Sequence, residues 1–141
     1  MKVLVDTNVV LDVLLARQPF VKHSSEVFAL VETSTIEGYL CATTVTTIEY
    51  LLSQALSDKN TAASITRLLD IFEVAPVNRA ILEQALRSEI EDFEDAVIEQ
   101  SAKLVDVKFV VTRNLKDFQR SEVTALDPEE LLSQIRASRK L

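Results

Sequence analysis

The sequence has little of what several protein classes require. One glycine and three prolines in 141 residues leave little room for flexible linkers. The single cysteine, Cys41, cannot form a disulfide within the chain, and its apolar neighbours predict a buried, reduced thiol. The single histidine, His23, is flanked by Lys22 and Ser24 and is predicted to lie at the surface. Catalysis by a cysteine activated by histidine is therefore disfavoured.

Long hydrophobic runs and an excess of positive charge are also missing. No stretch approaches the roughly 20 apolar residues that span a membrane. Met1–Val5 runs directly into Asp6, so we expect no signal peptide and a cytoplasmic protein. Fifteen basic and 22 acidic residues give a net charge of −7, which argues against a simple basic groove for nucleic acid. An acidic site that binds divalent cations can still attract phosphate, so any RNA affinity should depend on metal.

What the sequence does contain is an alternation of short apolar runs and amphipathic segments. Its length fits one domain, residues 1–141. The predicted strands are Lys2–Val5, Tyr39–Ala42, Ile71–Val74, Lys108–Thr112 and Val123–Leu126. The predicted helices are one beginning near Asn8, then Val21–Thr33, Val45–Leu56, Thr61–Leu69, Arg79–Arg87, Glu89–Val105 and Glu129–Ala137, with a basic end from Arg136 to Lys140. We therefore expect an α/β fold, a three-layer α/β/α sandwich with a central, mainly parallel sheet of four or five strands.

Acidic side chains follow the predicted strands. Ligands of open α/β sheets bind beyond the carboxyl ends of the strands, so residues at those ends are candidates for a site. They are Asp6 to Asn8 after the first strand, Thr112, Asn114 and Asp117 after the fourth, and Glu49, Asp92 and Asp95 on neighbouring helices. Oxygen ligands without cysteine or histidine suit Mg²⁺ or Mn²⁺. Such an ion would lower the pKa of a bound water and stabilise the charge that develops during phosphodiester cleavage.

Each of these residues also has a purely structural explanation. Asp6 could cap the helix that follows it. Glu49 is an isolated helical glutamate, and such residues are most often solvated. Asp92, Asp95 and Glu99 form a stripe opposite the apolar side of their predicted helix, so periodicity alone predicts that they face solvent. Single residues therefore do not decide the function.

The order of the motifs along the chain adds information. They are Val3–Val9, Thr46–Leu51, Asp92–Ala96, and Val110–Asn114 followed by Lys116–Phe118. Together they resemble the PIN domain, a nuclease fold that includes VapC-type toxins of bacterial toxin–antitoxin pairs. The resemblance extends from Lys2 to about Pro128. It implies a metal-dependent endoribonuclease that uses Mg²⁺ or Mn²⁺, acts on RNA, and forms a homodimer silenced by a partner antitoxin.

The resemblance also implies roles for individual residues. Asp6, Glu49 and Asp95 would form the metal-binding core, and Asp117 or Asp92 would complete it. Thr7 and Asn8 would orient the first carboxylate, and Thr112 would support the site from the fourth strand.

One position departs from the commonest family pattern, which has aspartate where this chain has Asn114. An amide can bind metal through its oxygen but adds no negative charge. Metal affinity is then weaker, or Asp117 takes the metal-binding role of the missing aspartate. Asn114 and Asp117 also fit an ordinary turn. Arg113 and Lys116, nearby, are candidate phosphate contacts or solvated turn residues.

Three alternatives compete with the nuclease. A haloacid-dehalogenase-type phosphotransferase needs a second aspartate two residues after the first, where this chain has Asn8. A receiver domain needs an aspartate at the end of the third strand, where this chain has Ala75 and Pro76. The stronger alternative is a catalytically weakened PIN-like fold that binds RNA or protein, favoured by Asn114 and the acidic charge.

Overall fold

A computed structural model describes residues 1–139 as a parallel sheet between two layers of helices. The strands are β1 (Lys2–Val5), β2 (Glu37–Cys41), β3 (Glu73–Ala75), β4 (Phe109–Val111) and β5 (Ala125–Leu126). The helices are α1 (Thr7–Leu14), α2 (Val21–Glu32), α3 (Ala42–Ala55), α4 (Asp58–Ile71), α5 (Arg79–Ala85), α6 (Phe93–Leu104) and α7 (Pro128–Arg139), with a 3-10 helix at Leu115–Phe118. Within the described residues no helix is both long and apolar enough to cross a membrane.

The sheet order is β3-β2-β1-β4-β5, and all four pairings are parallel. Alternation along β1 sends Val3 and Val5 into a core with α1 to α4 and α7, and Leu4 into a core with α5 and α6. The predicted three-layer α/β/α fold is confirmed. Because every strand runs the same way, all carboxyl ends lie at one edge, and β1 and β4 are neighbours there.

Several predicted boundaries were wrong, for local reasons. Helix α6 begins at Phe93 rather than Glu89, because the side chain of Asp92 caps it by accepting a hydrogen bond from the backbone N–H of Asp95 at 3.0 Å. Helix α3 begins at Ala42, three residues before its predicted start at Val45, and directly after Cys41, which is buried and unpaired as predicted. Helix α4 begins at Asp58, three residues before its predicted start.

Further shifts concern strand positions and the C-terminus. Strand β3 begins at Glu73, after the predicted start at Ile71, which instead ends α4. Helix α7 runs past Ala137 to Arg139. The predicted basic end of this helix includes Lys140, which lies outside the described residues.

Gly38, the chain's only glycine, lies inside β2 rather than before it. A Cβ atom at this position would lie 2.8 Å from side-chain carbons of Phe72 and of Val31. We expect Gly38→Ala to lower the free energy of unfolding by about 1–3 kcal/mol, because two packed side chains would have to shift. Urea unfolding of the two proteins measures this difference, and equal midpoints would contradict the close packing at β2.

Candidate active site

Asp6 is the buried carboxylate at the centre of the edge where β1 and β4 end. It is 4 % exposed and caps α1. Its oxygens accept hydrogen bonds from the backbone N–H of Thr7 at 2.8 Å, the Asn8 amide at 3.1 Å and the Thr112 hydroxyl at 2.8 Å. Burial raises the pKa of Asp6, although these hydrogen bonds oppose the shift. The capping explanation is thus correct, but capping alone does not account for a buried carboxylate with three donors.

The residues after β4 complete the support of Asp6. The Thr112 hydroxyl accepts a hydrogen bond from the backbone N–H of Asn114 at 3.0 Å, and the Asn8 side-chain oxygen accepts one from the backbone N–H of Arg113 at 3.1 Å. The structure therefore brings Asp6, Asn8 and Thr112 together across the β1–β4 boundary. The side chain of Asn114 is exposed, and its backbone makes the contact.

Asp95, in the first turn of α6, is half-buried beside this group. Burial is the largest cause that raises its pKa, to about 7, and the charges of Asp6, Asp92, Asp117 and Glu94 add to it. Four carboxylates thus lie close enough to repel a charge on Asp95. The sequence-based expectation that periodicity turns this stripe toward solvent is wrong for Asp95.

Glu94 belongs to the same group and was missed by the sequence analysis. Its Oε1 accepts a hydrogen bond from the Thr47 hydroxyl at 3.4 Å, and its charge raises the pKa of both Asp6 and Asp95. Its position beside Asp95, in the first turn of a helix that starts at this edge of the sheet, could have indicated it.

Asp117 reaches the group from the 3-10 helix and is exposed. A groove of about 390 Å³ joins it to Asp92, and the exposed side chains of Lys116 and Arg120 also line this groove. Asp92 and Asp117 therefore border a groove whose lining includes two cationic side chains and two further acidic ones, Glu89 and Glu91. Of these two cations, Lys116 was identified from the sequence and Arg120 was not.

The structure does not bring Glu49 into this group. On α3, Thr44 accepts a hydrogen bond from the Thr7 hydroxyl and Thr47 donates one to Glu94, so that face of the helix meets the site. Glu49 is two residues beyond Thr47, about 200° around the helix. It is exposed and lines a different groove with residues of α4, including Thr61.

Arg113 is not a solvated turn residue. Its Nε and Nη2 atoms donate hydrogen bonds to the two carboxylate oxygens of Asp12, the second at 3.2 Å, and Asp12 is fully buried. Its guanidinium lies 3.9 Å from the centre of the Phe20 ring. These contacts hold the Arg113 side chain in a fixed position, so it is not a mobile phosphate contact.

Glu99 faces inward, although the sequence pattern predicts that it faces solvent. It is 1 % exposed and accepts hydrogen bonds from the Ser88 hydroxyl at 2.6 Å and from the backbone N–H of Glu122 at 2.8 Å. Ser88 lies in the segment before Asp92, and Glu122 follows the 3-10 helix that carries Asp117. The Glu99 carboxylate therefore forms hydrogen bonds with the segment before Asp92 and with the segment after Asp117.

The donor set fits a hard divalent cation by its chemistry, because every candidate ligand is an oxygen and the negative charges repel one another. Among residues 1–139, no three histidine, cysteine, aspartate or glutamate side chains are arranged to surround one ion. Mg²⁺ commonly takes one or two carboxylates and keeps several waters, so Asp6 and Asp95 suffice as a starting pair.

The raised pKa of Asp95 makes the stability of the metal-free protein depend on pH. The carboxyl titrates near 3.8 in the unfolded chain and near 7 in the folded one, so the folded state holds more protons between these values. Its contribution to stability is full below the unfolded pKa and is lost as the pH rises through the folded pKa. We therefore expect the free energy of unfolding in EDTA to fall between about pH 4 and pH 7. Asp95→Asn should flatten this slope in urea titrations, and an unchanged slope would contradict the assignment.

Comparisons with known proteins agree with this architecture. Ribonuclease VapC1 from Aquifex aeolicus (strain VF5) is 26 % identical over 134 residues, which cover 92 % of each chain. The crystal structure of FitAcB from Neisseria gonorrhoeae has a TM-score of 0.67 and 24 % identity, covering 90 % of this chain and 98 % of that one. VapBC2 from Rickettsia felis, bound to a DNA fragment from its promoter, has a TM-score of 0.68 and 16 % identity, with coverage of 90 % and 98 %. Residues 2–116 match the PIN domain family, so this chain belongs to the PIN domain family.

Proposed function

We propose that the protein is a metal-dependent endoribonuclease that hydrolyses RNA phosphodiester bonds, and that it is the toxin of a toxin–antitoxin pair. The proposal rests on one observation. Asp6, at the end of β1, and Asp95, at the start of α6, lie close enough for the charge of Asp6 to raise the pKa of Asp95. Membership of the PIN family and the ribonuclease name of the VapC1 relative support the reaction class.

Asp6, Asp92, Asp95 and Asp117 would hold the Mg²⁺ or Mn²⁺ ion, with Glu94 beside them. When bound, such an ion supplies a water of lowered pKa and stabilises the developing charge on phosphate oxygens. Without the ion, Asp95, with a pKa of about 7, holds or releases a proton close to neutral pH.

The chain itself contributes orientation. Hydrogen bonds from Thr7, Asn8 and Thr112 fix the Asp6 carboxylate before any ligand arrives, so little reorganisation accompanies binding. Lys116 and Arg120, on the wall of the groove, would contact RNA phosphates and offset part of the net negative charge.

The direct test is cleavage of a broad panel of single-stranded and structured RNAs by the purified protein. We expect cleavage with Mg²⁺ or Mn²⁺ and a loss of at least about 100-fold in EDTA, because the ion contributes several kcal/mol to the reaction. Restoring the ion should restore the rate. Equal cleavage in EDTA would contradict metal dependence if the Asp6→Asn protein, purified in the same way, does not cleave the panel.

An antitoxin partner and a homodimer form part of the proposal. The support is that solved relatives of similar fold include toxin–antitoxin complexes, among them one from Klebsiella pneumoniae. Copurification with the product of a neighbouring gene, and loss of cleavage in that complex, would test the partner. The molar mass in solution would test the dimer.

A second function is favoured by a specific observation. No three acidic side chains of the described residues surround a common point, and Asn114 replaces the usual aspartate. A weakened PIN-like fold that binds RNA or protein without cutting would fit both facts. Metal binding by calorimetry without cleavage of the RNA panel would favour this module over the nuclease.

A further inference from the structure

A cavity of about 430 Å³ is lined on one side by Arg113, which follows β4, and falls within the usual range of ligand pockets, about 300–1,000 Å³. Its walls include Phe20, His23, Ser24, Arg113, Asp127 and Glu129. Arg113 directly follows Thr112, whose hydroxyl contacts Asp6, and the backbone N–H of Arg113 contacts Asn8. One residue of the cavity wall is therefore joined through its backbone to the residues that hold the Asp6 carboxylate.

Two polar atoms on residues that line this cavity are left without a partner within residues 1–139. Nδ1 of His23 and Oγ of Ser24 are buried, and neither has a hydrogen-bond partner among the described residues. Ser24 is fully buried, so its hydroxyl has no access to bulk solvent. Because buried polar atoms are nearly always hydrogen-bonded, this pair marks a place where a water or a ligand that offers both donors and acceptors can bind.

The same cavity presents flat surfaces. Phe20 is 40 % exposed, so part of its ring is accessible from the cavity. The Arg113 guanidinium lies 3.9 Å from the centre of its ring and is held there by Asp12. Unstacked RNA bases bind by stacking on aromatic rings and on guanidinium planes.

The charges around the cavity argue against an anion as the occupant. Asp12 offsets the charge of Arg113, and Asp127 and Glu129 border the opening. Glu129 Oε2 also lies 4.0 Å from Nε2 of His23. A phosphate would be repelled here, whereas an uncharged ring with hydrogen-bonding edges would not.

We infer that this cavity binds one nucleobase of the RNA, adjacent to the phosphate that the carboxylates cleave. The base stacks on the exposed part of Phe20, beside Arg113, and small side-chain rotations bring His23 and Ser24 within hydrogen-bonding reach of its edge. The inference rests on the proposed ribonuclease function and adds a position at which the enzyme reads sequence.

The test compares Phe20→Ala and Ser24→Ala with the wild-type protein on an RNA of randomised sequence, with the cut ends sequenced. We expect the wild type to prefer certain bases at one position next to the cut. Each variant should weaken that preference about tenfold, which is the effect expected from the loss of one stacking contact or one hydrogen bond. Melting temperatures of both variants check that they fold.

Two controls match the variants. Leu82→Ala removes an apolar side chain that is also 40 % exposed, but on α5, and Thr61→Val removes the other buried hydroxyl without a partner in the described part of the chain. Both should keep the wild-type preference. An unchanged preference in Phe20→Ala and Ser24→Ala would overturn the inference. If those two variants instead weaken only the complex with the neighbouring gene product, the cavity serves a protein partner and the inference is again overturned.

A second measurement separates this inference from the proposed function. NMR titration with adenosine, guanosine, cytidine and uridine does not require cleavage, and inorganic phosphate serves as the comparison probe. Shifts of the Phe20 and Ser24 amide resonances with a nucleoside but not with phosphate would support base binding, even if no RNA in the panel is cut. The absence of any nucleoside-induced shift in these resonances would overturn it, even if RNA is cut.

Discussion

Asp95→Asn and Asp6→Asn are each expected to lower the rate of RNA cleavage by at least about 100-fold, because each removes a charged oxygen ligand worth several kcal/mol to the reaction. The fold should remain intact. Asparagine preserves the shape of the side chain, and at Asp95 it also removes repulsion from the neighbouring carboxylates. At Asp6 its amide nitrogen replaces an oxygen that accepts hydrogen bonds, so we expect a lower melting temperature for that variant. Initial rates in Mg²⁺, with melting temperatures of the same samples, provide the measurement.

Glu49→Gln is the matched comparison for these variants. The sequence motif assigns Glu49 to the metal, whereas the structure places it on the face of α3 that borders α4. We expect its cleavage rate to stay within about twofold of the wild type, since an exposed side chain outside the site contributes little. A large loss in Glu49→Gln, together with unchanged rates in the aspartate variants, would reverse the assignment of the site.

Asp12→Ala is expected to lower the free energy of unfolding by about 3 kcal/mol, because it leaves a partly buried guanidinium without its partner. Asp12 is fully buried, and the side chain of Arg113 is 25 % exposed. Arg17 also lies near, with its Nη1 atom 3.9 Å from Asp12. Urea unfolding at neutral pH measures the loss.

An exposed ion pair supplies the control for this prediction. Arg67 and Glu32 are 3.2 Å apart, with side chains 63 % and 44 % exposed. Glu32→Ala should therefore change the free energy of unfolding by less than about 1 kcal/mol. Similar small losses in Asp12→Ala and Glu32→Ala would mean that the buried pair does not stabilise the fold. Replacement of both Asp12 and Arg113 by apolar residues should recover part of the loss.

The strands and the ends of β1 and β4 could be predicted from sequence, because their signals are local. Consecutive apolar and mostly β-branched residues marked Phe109–Val111, and the position of Asp6 after an apolar run marked a strand end. The motif order then predicted the fold, which the structure confirms. The contact between Asp6 and Thr112 followed from parallel topology, since neighbouring parallel strands end at the same edge.

Other features depend on packing and leave no local signal. The pairing of Asp12 with Arg113 joins residues 101 positions apart. Glu99 repeats the helical spacing of solvated acids yet is buried, because loops from two other segments donate hydrogen bonds to it. Glu49 shows the opposite error: the motif identified it, but the rotation of α3 places it elsewhere.

The long separation between Asp6 and Thr112, 106 residues, has a consequence for synthesis of the protein. On the ribosome, β1 emerges well before the residues that hold its carboxylate in place. At about 5–20 residues per second, the interval is roughly 5–20 s. During that time Asp6 has neither Asp95 nor Thr112 beside it. A nascent chain therefore has no assembled carboxylate group near the messenger RNA from which it is made. The group can form only when nearly the whole protein has been synthesised.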